Sequence, residues 1–585
     1  MRLRPHIAAL AAALLLSSCG DDNPASPGGP PPEAVYNASF EFFTSPIYTL
    51  WEHPSGDVYG AGPSIMKYDG RDWTPVALPN TDVYFQHAWA TSNGDLYAVA
   101  RFGLYRFDGS EWSSMSAALR DYWGAQNGEI FGYAWDDRLY HYDGSDWSEG
   151  DTVEVDLGLN TNWTDITGDG PDNVYTVGYD GLLAHFDGNV WTAQVLEPRR
   201  SFYSAWKEPG GPLYLSGYDS LYAYDGSELR SVPIPLRNVQ AICFKSSTEI
   251  YVAGEKDYLY SSVFRFDGAA WHEDAQIESS VRSVWGDRAS ERLLVSTRTE
   301  VVQAKGSTST PILGFNPPDF PTYRSPNFTA AWGSTEAGIY VAGNYAFRYW
   351  NGEWTDLKKQ DLTLIEVSSI WGRSSEEIYA VGQSMLLHFD GQEWVSRSGA
   401  GNLGLSDVSG DEQSVVAVGY EGAIVRFDGE SWEREESGTT YHLFAVSIWP
   451  GGGFAGGENG SLIRYDGSEW RPIPSPVSWA INDLLAFDPD QVIAVGSNGT
   501  EICIFDGREW SPIFVGYMGG SNESVWGTSV SNLFIAKSNG SVIHWDGGTA
   551  SYLPRVTSDD LRAIWGDAQG QVFAAGYGGV IRYFR

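Results

Sequence analysis

Cysteine is nearly absent from this sequence, which has three among 585 residues. Cys243 and Cys503 each lie in a short apolar run typical of a buried strand, so we expect two small buried side chains and no disulfide between them. The sequence also has no Cys-x-x-Cys, His-x-x-His, Gly-x-Ser-x-Gly or Walker motif. These absences leave no motif for a zinc site, a serine hydrolase or a nucleotide-binding loop, and we predict no cofactor.

Positive charge is also scarce, because 37 Lys and Arg stand against 75 Asp and Glu and give a formal charge of -38. A nucleic-acid backbone would be repelled, so we expect no nucleic-acid partner. The acidic stretch from Asp165 to Asn173 is a conceivable calcium site, but it lacks the EF-hand spacing and has the position of an ordinary turn between two strands. We therefore predict no metal.

The chain is too long for one hydrophobic core. Aromatic residues make up 14% of it, which is too apolar for disorder, and 67 glycines are too many for a helical protein. This composition indicates an all-β protein with many short strands joined by tight turns.

The first nineteen residues have the pattern of a secretory signal. Arg2 and Arg4 precede an apolar run over residues 7–16, which is too short to span a bilayer. Leu16-Ser17-Ser18-Cys19 resembles the bacterial lipobox, and the resemblance implies cleavage before Cys19 and acylation of this cysteine. The alternative is an ordinary signal peptide with an incidental cysteine. By the sorting rule of enteric lipoproteins, Gly20 favours the outer membrane, and residues 20–33 have the composition of an extended tether.

The rest of the chain is built from one repeat. An aromatic-Asp-Gly-x-x-Trp phrase recurs at intervals of about forty residues, which is the period of a propeller blade. Asn351 fills the Asp position once, the doubled interval between 267 and 351 contains a decayed copy at 301–306, and a last copy ends the chain. The Asp positions are 69, 108, 143, 187, 225, 267, 390, 428, 466, 506 and 546. Fourteen copies predict two tandem seven-bladed β-propellers with four strands, A to D, in each blade.

The predicted domain boundaries follow the repeat. Residues 34–313 form the first propeller, the Pro-rich segment 314–326 is a linker, and residues 327–585 form the second propeller. The last copy has no strand D of its own. We expect residues 34–41 to complete blade seven and residues 311–315 to complete blade fourteen, with the exchanged pairing as the alternative.

The Asp-Gly pair predicts a two-residue hairpin turn between strands C and D. In that register Tyr105 faces Trp112, Lys67 faces Asp72, and His141 faces Asp146. Histidines and arginines in this position then pair with acidic residues across the hairpin. The tryptophans of strands A and D recur at one position in nearly every copy, which indicates packing between blades.

The repeat resembles three groups of proteins. It looks like the repeats of predicted propeller lipoproteins of Gram-negative bacteria, over nearly all of residues 34–585. It is similar to tectonin repeats, which implies a sugar-binding propeller. It is also similar to the Asp-box of sialidases, although Phe427-Asp428-Gly429-Glu430-Ser431-Trp432 lacks the leading Ser and the spacer between Asp and Gly.

The B–C loops vary most between copies, and variable loops on a rigid scaffold are where binding usually resides. Several join an aromatic ring to a carboxylate, a combination suited to ring stacking and hydroxyl hydrogen bonds. The alternative is that they are ordinary Asx-type turns. The candidate ligand-binding residues are Trp135, Asp136, Tyr179, Asp180, Tyr218, Asp219, Tyr420 and Glu421.

These observations favour a non-catalytic lipoprotein of the cell envelope, anchored to a membrane through Cys19, that acts as a protein-interaction or scaffolding propeller. A lectin-like, glycan-binding propeller is the first alternative. A glycoside hydrolase or lyase is the second, since two carboxylates from distant blades could form a catalytic pair.

Overall fold

A computed structural model describes residues 37–584 of the chain. The description leaves out residues 44–45, 53–54, 80–84, 91–94, 101–102, 116–118, 126, 135–136, 150–161, 218–219, 257–259, 278–279, 288–291, 298–299, 306–307, 315–326, 335–337, 351–352, 358–365, 397–402, 517–518 and 567–569. Within the described part, the strands form fourteen four-stranded antiparallel sheets, which we number as blades 1–14. The same residues include no helix long and apolar enough to cross a membrane.

The N-terminal strand and the first seven blades follow in chain order. The strand bounds are β1 (Asn37–Phe43); β2 (Thr49–Glu52), β3 (Val58–Ala61), β4 (Ile65–Tyr68), β5 (Trp73–Val76); β6 (Phe85–Ala90), β7 (Leu96–Ala100), β8 (Gly103–Phe107), β9 (Trp112–Ser114); β10 (Leu119–Gly124), β11 (Ile130–Ala134), β12 (Leu139–Tyr142), β13 (Trp147–Glu149); β14 (Trp163–Gly170), β15 (Asn173–Gly178), β16 (Leu182–Phe186), β17 (Trp191–Val195); β18 (Ser204–Lys207), β19 (Leu213–Ser216), β20 (Ser220–Tyr224), β21 (Leu229–Pro233); β22 (Asn238–Ser246), β23 (Glu249–Glu255), β24 (Ser261–Phe266), β25 (Trp271–Ile277); β26 (Ser283–Asp287), β27 (Arg292–Ser296), β28 (Glu300–Lys305), β29 (Thr308–Gly314).

Blades 8–14 repeat the same order of strands. Their bounds are β30 (Phe328–Ser334), β31 (Gly338–Gly343), β32 (Ala346–Trp350), β33 (Glu353–Asp356); β34 (Val367–Ser374), β35 (Glu377–Gly382), β36 (Met385–Phe389), β37 (Trp394–Ser396); β38 (Leu405–Gly410), β39 (Val415–Gly419), β40 (Ile424–Phe427), β41 (Trp432–Glu435); β42 (Leu443–Trp449), β43 (Gly452–Gly457), β44 (Leu462–Tyr465), β45 (Trp470–Pro472); β46 (Ile481–Asp488), β47 (Gln491–Gly496), β48 (Glu501–Phe505), β49 (Trp510–Phe514); β50 (Asn522–Ser529), β51 (Asn532–Lys537), β52 (Val542–Trp545), β53 (Ala550–Tyr552); β54 (Leu561–Gly566), β55 (Val572–Gly576), β56 (Gly579–Phe584).

Two sets of contacts close the array of blades. Blade 1 contacts blade 7. The Leu50 amide donates to Ser283 Oγ at 3.0 Å, and Val58 shares a core with Trp285. Blade 8 contacts blade 14 in the same way, because Phe328 packs in one core with Phe573. The all-β propeller fold expected from the repeat is therefore confirmed. The contacts between first and last blades join blade 1 to blade 7 and blade 8 to blade 14.

The strand that completes each ring differs from the favoured prediction. Strand β29 pairs with β28 and completes blade 7, whereas β1 pairs with β56, with Asn37 opposite Phe584 and Phe43 opposite Gly579. The expectation that residues 34–41 complete blade seven and residues 311–315 complete blade fourteen was therefore wrong, and the exchanged pairing is the one observed. Phe40 of β1 packs against the core of blades 13 and 14, which buries the edge that β56 would otherwise expose.

The Asp-Gly turn is longer than the two-residue hairpin predicted. Phe107 faces Trp112 and Arg106 faces Ser113, so four residues form the turn and the predicted cross-strand pairs are shifted by two positions. The physical reason is the Asp side chain, because Asp108 Oδ1 accepts the amides of Ser110 and Glu111 at 2.9 Å each. The backbone N–H of Glu111 and then the Ser110 hydroxyl and amide lower the pKa of Asp108 to about 2.

The basic residues of strand C instead pair with acidic residues that immediately precede strand B. Lys67 Nζ lies 2.9 Å from Asp57, and His141 Nε2 lies 2.8 Å from Glu129. The expected pairs of Lys67 with Asp72 and His141 with Asp146 are therefore wrong.

Repeated tryptophans pack between blades, as expected. A Cβ atom on Gly372 would come within 2.5 Å of the Trp332 ring, so the glycine of one strand A gives room to the tryptophan of the preceding blade. Four strand-D tryptophans, Trp112, Trp147, Trp271 and Trp470, donate to the preceding blade, as in the 3.0 Å bond from Trp147 Nε1 to the Met115 carbonyl. Cys503 is buried and Cys243 half-buried, and both are free thiols.

The two rings also meet directly through connecting loops. In a blade, the B–C and D–A connections share one face, which we call the D–A face, and the A–B and C–D connections share the other, the Asp-Gly face. Ser558 donates its amide to the Pro63 carbonyl at 2.8 Å, and Leu78 donates to the Arg555 carbonyl at 2.7 Å. Pro63 and Leu78 lie in B–C and D–A connections of the first ring, and Arg555 and Ser558 lie in a D–A connection of the second. The contact therefore joins the D–A faces of both rings.

Candidate functional site

Exposed aromatic rings collect on the D–A face. Among the described residues, eight large hydrophobic side chains are exposed, and six of them are tyrosines in B–C or D–A connections. They come from both rings: Tyr179, Tyr203, Tyr260, Tyr420, Tyr441 and Tyr577. Exposed tyrosine supplies a flat apolar surface and a hydroxyl together, which suits it to binding.

The first ring carries a pair of these tyrosines in blades 4 and 5. The rings of Tyr179 and Tyr203 lie 6.0 Å apart at 78°, an edge-to-face contact, and remain 41% and 48% exposed. Asp180 sits beside Tyr179 in a tight turn with a φ of 56°. Gly181 is the next residue of this turn, and its amide donates to the Arg200 carbonyl at 2.6 Å. The turn presents the ring and the carboxylate to solvent side by side.

The second ring has a comparable group in blades 10 and 11. Tyr420 meets the His442 ring edge-on at 4.7 Å, and neighbouring Tyr441 is 49% exposed. Glu421 has a φ of 55°, nearly that of Asp180, and its side chain is also exposed. The backbone of this turn repeats that of the first ring, so two rings present one kind of local surface.

The structure describes half of the candidate residues derived from the sequence. Tyr179, Asp180, Tyr420 and Glu421 are exposed on the D–A face. Trp135, Asp136, Tyr218 and Asp219 lie outside the described residues. Tyr203, Tyr441 and His442 were missed, although an aromatic residue just before strand A was a readable signal.

Half-buried carboxylates tie neighbouring strands A together. Asp407 accepts the amides of Val408 at 2.8 Å and of Val446 in the next blade at 2.7 Å. Asp483 does the same with Leu484 at 2.8 Å and Val525 at 2.8 Å. Burial raises the pKa of Asp407 to about 6; burial and then the charge of Asp407 raise the pKa of Asp483 to about 7.

In the first ring, too, a carboxylate links the strands A of neighbouring blades. Asp165 accepts the Ala205 amide of the next blade at 2.7 Å, and burial, then the charge of Asp121, raises its pKa. Further along strand A, Asp169 Oδ2 lies 2.9 Å from Lys207 Nζ, so a lysine ammonium sits where a calcium ion was conceivable. Within the described chain, no group of three or more His, Cys, Asp or Glu is placed to hold a metal.

The seven inner strands of blades 8–14 enclose a central channel of about 410 Å³. Toward its D–A end, Arg562 Nη1 lies 2.9 Å from Glu523 and Nη2 lies 2.6 Å from Asp560. The exposed ring of Tyr577 lies 5.9 Å from the same guanidinium. Asp407 and Asp483 also line this channel.

Blade 13 departs from the repeat next to this ion pair. Lys537 replaces the glycine that ends strand B in many blades, and it is fully buried. Its ammonium donates to the carbonyls of Gly499 at 2.7 Å and Gly520 at 3.2 Å and to Asn522 Oδ1 at 3.1 Å. Burial lowers its pKa to about 8. Lys537 therefore links two loops of the D–A face to blade 13. A lysine in a position that is glycine in other copies was the sequence signal for these contacts.

No family model and no curated protein matches the chain. Among solved structures, the chain is similar to a GH74 xyloglucanase from Xanthomonas campestris, with 14% identity, a TM-score of 0.61, and coverage of 94% of this chain and 100% of that one. It also matches the extracellular domain of a putative one-component system from B. thetaiotaomicron at 12% identity and a TM-score of 0.37, over 93% of this chain and 82% of that one. YCF48 bound to D1 peptide matches at 15% identity and a TM-score of 0.38, over 44% of this chain and 91% of that one. At these identities the likeness shows the fold alone.

Proposed function

We propose that this protein is a non-catalytic binding protein of the cell envelope that holds a partner protein on its D–A faces. The exposed tyrosines of both rings carry the proposal, because they gather on the face whose loops vary between blades. Cys19 is the proposed lipid anchor, residues 1–19 the signal, and residues 20–33 the tether. The proposed propeller domains are 34–313 and 327–585, joined by 314–326.

The junction between the rings adds to the proposal. Loops of the D–A faces of both rings contact each other through Leu78, Arg555 and Ser558. The D–A faces of the two rings therefore meet along a shared edge. The acidic balance of the chain favours a partner with a basic surface.

A glycan is the second candidate ligand. Tyr179 beside Asp180 and Tyr420 beside Glu421 place a stacking ring next to a hydroxyl acceptor in both rings. Trp135, Asp136, Tyr218 and Asp219 belong to the same proposed site by their positions in the sequence.

The test compares the soluble protein from residue 33 onward with two double variants, Tyr179→Ala/Tyr203→Ala and Tyr420→Ala/Tyr441→Ala. Envelope proteins are cross-linked to each, and a glycan array is probed in parallel. Each lost stacking contact weakens binding by about 0.5–1.5 kcal/mol, so we expect each folded double variant to lose roughly fivefold to a hundredfold in affinity. Val190→Ala, an exposed apolar residue in an Asp-Gly turn, is the matched control. Full affinity in both double variants would contradict the proposal.

A further inference from the structure

The second ring has a layered opening on its Asp-Gly face, opposite the tyrosines. The A–B connections surround this end of the channel because strand A is the innermost strand of each blade. Those that the structure describes in the second ring, together with the strand ends that flank them, carry six carboxylates, at Glu376, Glu377, Asp411, Glu412, Asp488 and Asp490.

One cation, Arg373 near the end of β34, accompanies these carboxylates in the described part of this mouth. Its guanidinium is already bound, to Glu377 through Nη1 at 2.5 Å and to the Asp411 carbonyl through Nε at 2.9 Å. The mouth therefore has a negative potential that concentrates cations.

The next layer is aromatic. Trp371 and Trp332 line the channel from blades 9 and 8, and Trp565 and Trp526 line it from blades 14 and 13. Because blade 14 packs against blade 8, these four blades are neighbours around the ring and the tryptophans form one continuous arc. All four side chains are partly exposed. Aromatic faces attract cations and also pack against alkyl chains.

The deepest layer is acidic again. Asp407 and Asp483 line the same channel from blades 10 and 12, across from the aromatic arc, and both are partly exposed to it. They lie two residues nearer the start of strand A than the tryptophan position, which is about 6–7 Å along a strand. The other charged groups on the lining are Glu523 and Arg562, which pair with each other near the D–A end.

We propose that this channel binds an alkylammonium group that enters from the Asp-Gly face, with its alkyl chain along the tryptophan arc and its ammonium at Asp407 and Asp483. Asp407 Oδ1 also accepts the Ser369 hydroxyl at 2.6 Å, and Asp483 Oδ2 also accepts the Ser524 hydroxyl at 2.9 Å. Asp407 Oδ2 and Asp483 Oδ1 each accept one backbone amide and keep a second lone pair for an ammonium donor. The group is either a lysine side chain of a protein or a free amine. This site is separate from the tyrosines of the D–A face, so it holds or fails independently of the proposed function.

The test titrates the tryptophan fluorescence of the soluble chain with cadaverine at low ionic strength, with 1,5-pentanediol as the uncharged control of equal length. We expect saturable binding of cadaverine and no competition by 1,5-pentanediol. A lysine peptide and its Nε-acetylated form distinguish the two sources, since a site for protein lysine binds the first peptide more tightly than cadaverine and a site for free amines does the reverse.

Two variants locate the binding. Asp483→Asn removes one deep carboxylate and should weaken cadaverine binding about tenfold or more. Because Asp483 also ties blades together, a second variant, Glu376→Gln/Glu412→Gln/Asp490→Asn, changes only the exposed mouth and should weaken binding at low salt and much less at high salt. No saturable binding to the unmodified protein, or binding that is unchanged in every variant that folds, would overturn the proposal.

Discussion

The guanidinium of Arg555 donates a hydrogen bond of 3.2 Å to the carbonyl oxygen of Pro79, although 476 residues separate the two in the chain. The same buried side chain donates to the carbonyls of Thr557 at 3.1 Å and Asn539 at 2.6 Å. One arginine thus ties a loop of the first ring to two segments of the second. Together with strand β1, it makes the two rings a single interlocked unit.

Replacement of Arg555 by alanine should loosen this junction. Three carbonyls in a buried site lose their donor, and each unsatisfied polar group costs about 1–3 kcal/mol, so we expect a loss of at least about 3 kcal/mol in the free energy of unfolding. Urea denaturation measures it. Arg200→Ala is the control, because Arg200 is an exposed arginine on the D–A face of the first ring. Equal midpoints for the two variants would show that the junction contributes nothing.

Strand β1 should control the stability of the second ring. Deletion of residues 20–43 exposes the edge of β56 and uncovers the core that Phe40 covers. We expect the amides of Gly579–Phe584 to exchange with deuterium much faster, by a hundredfold or more, while the amides of blades 3–5 change little. Deletion of residues 20–33 alone is the control. Equal protection of β56 in both deletions would contradict the observed pairing.

The architecture was predictable because turn chemistry and strand periodicity are local. The fourteen copies of the repeat, eleven of them with Asp-Gly, predicted the blades, and the packing of Trp332 against Gly372 follows from the repeat alone. The partner of β56 was not predictable, since either terminal strand satisfies an open edge equally well and Phe40 packs against cores of both rings.

The candidate site was predictable in part for the same reason. Tyr179 and Tyr420 can be recognised in the sequence as aromatic residues in variable turns. The hydrogen bond of Asp407 to the next blade depends on an amide 39 residues away in the chain. The hydrogen bonds of the Lys537 ammonium depend on loops of two blades. Contacts of that kind exist only once neighbouring blades are in place.

Stability should fall as the pH rises from about 4.5 to 7.5. Asp407 has a pKa of about 6 and Asp483 about 7 in the folded protein, both above the ordinary value of 3.8 expected in the unfolded chain. The folded state therefore binds more protons in this range, and each carboxyl loses about 1–3 kcal/mol of its contribution on ionising. Thermal unfolding at several pH values measures the slope.

The control for the pH dependence is Asp407→Asn. The amide cannot titrate, so the variant should be less stable at pH 4.5 but show a shallower slope. His185 has a pKa lowered by burial, which favours stability at higher pH and acts in the opposite direction in both proteins. A slope as steep in Asp407→Asn as in the unmodified protein would assign the effect to other groups.

The anchor is tested by Cys19→Ser. A chain without the acylated cysteine has no proposed attachment to the bilayer, so we expect nearly all of it in the soluble fraction after a carbonate wash. The unmodified protein should remain with the membranes. Retention of Cys19→Ser on washed membranes would refute the lipid anchor.

Site-specific photo-cross-linking in intact cells tests whether the partner is held on the D–A faces. A photoreactive residue replaces Tyr203 or Tyr441 on the D–A faces, and Asn189 or Gln392 in exposed Asp-Gly turns of the same rings serves as the matched control. We expect adducts to one partner from both tyrosine positions and far weaker adducts from the two turn positions. Strong adducts from Asn189 or Gln392, with none from Tyr203 and Tyr441, would contradict it.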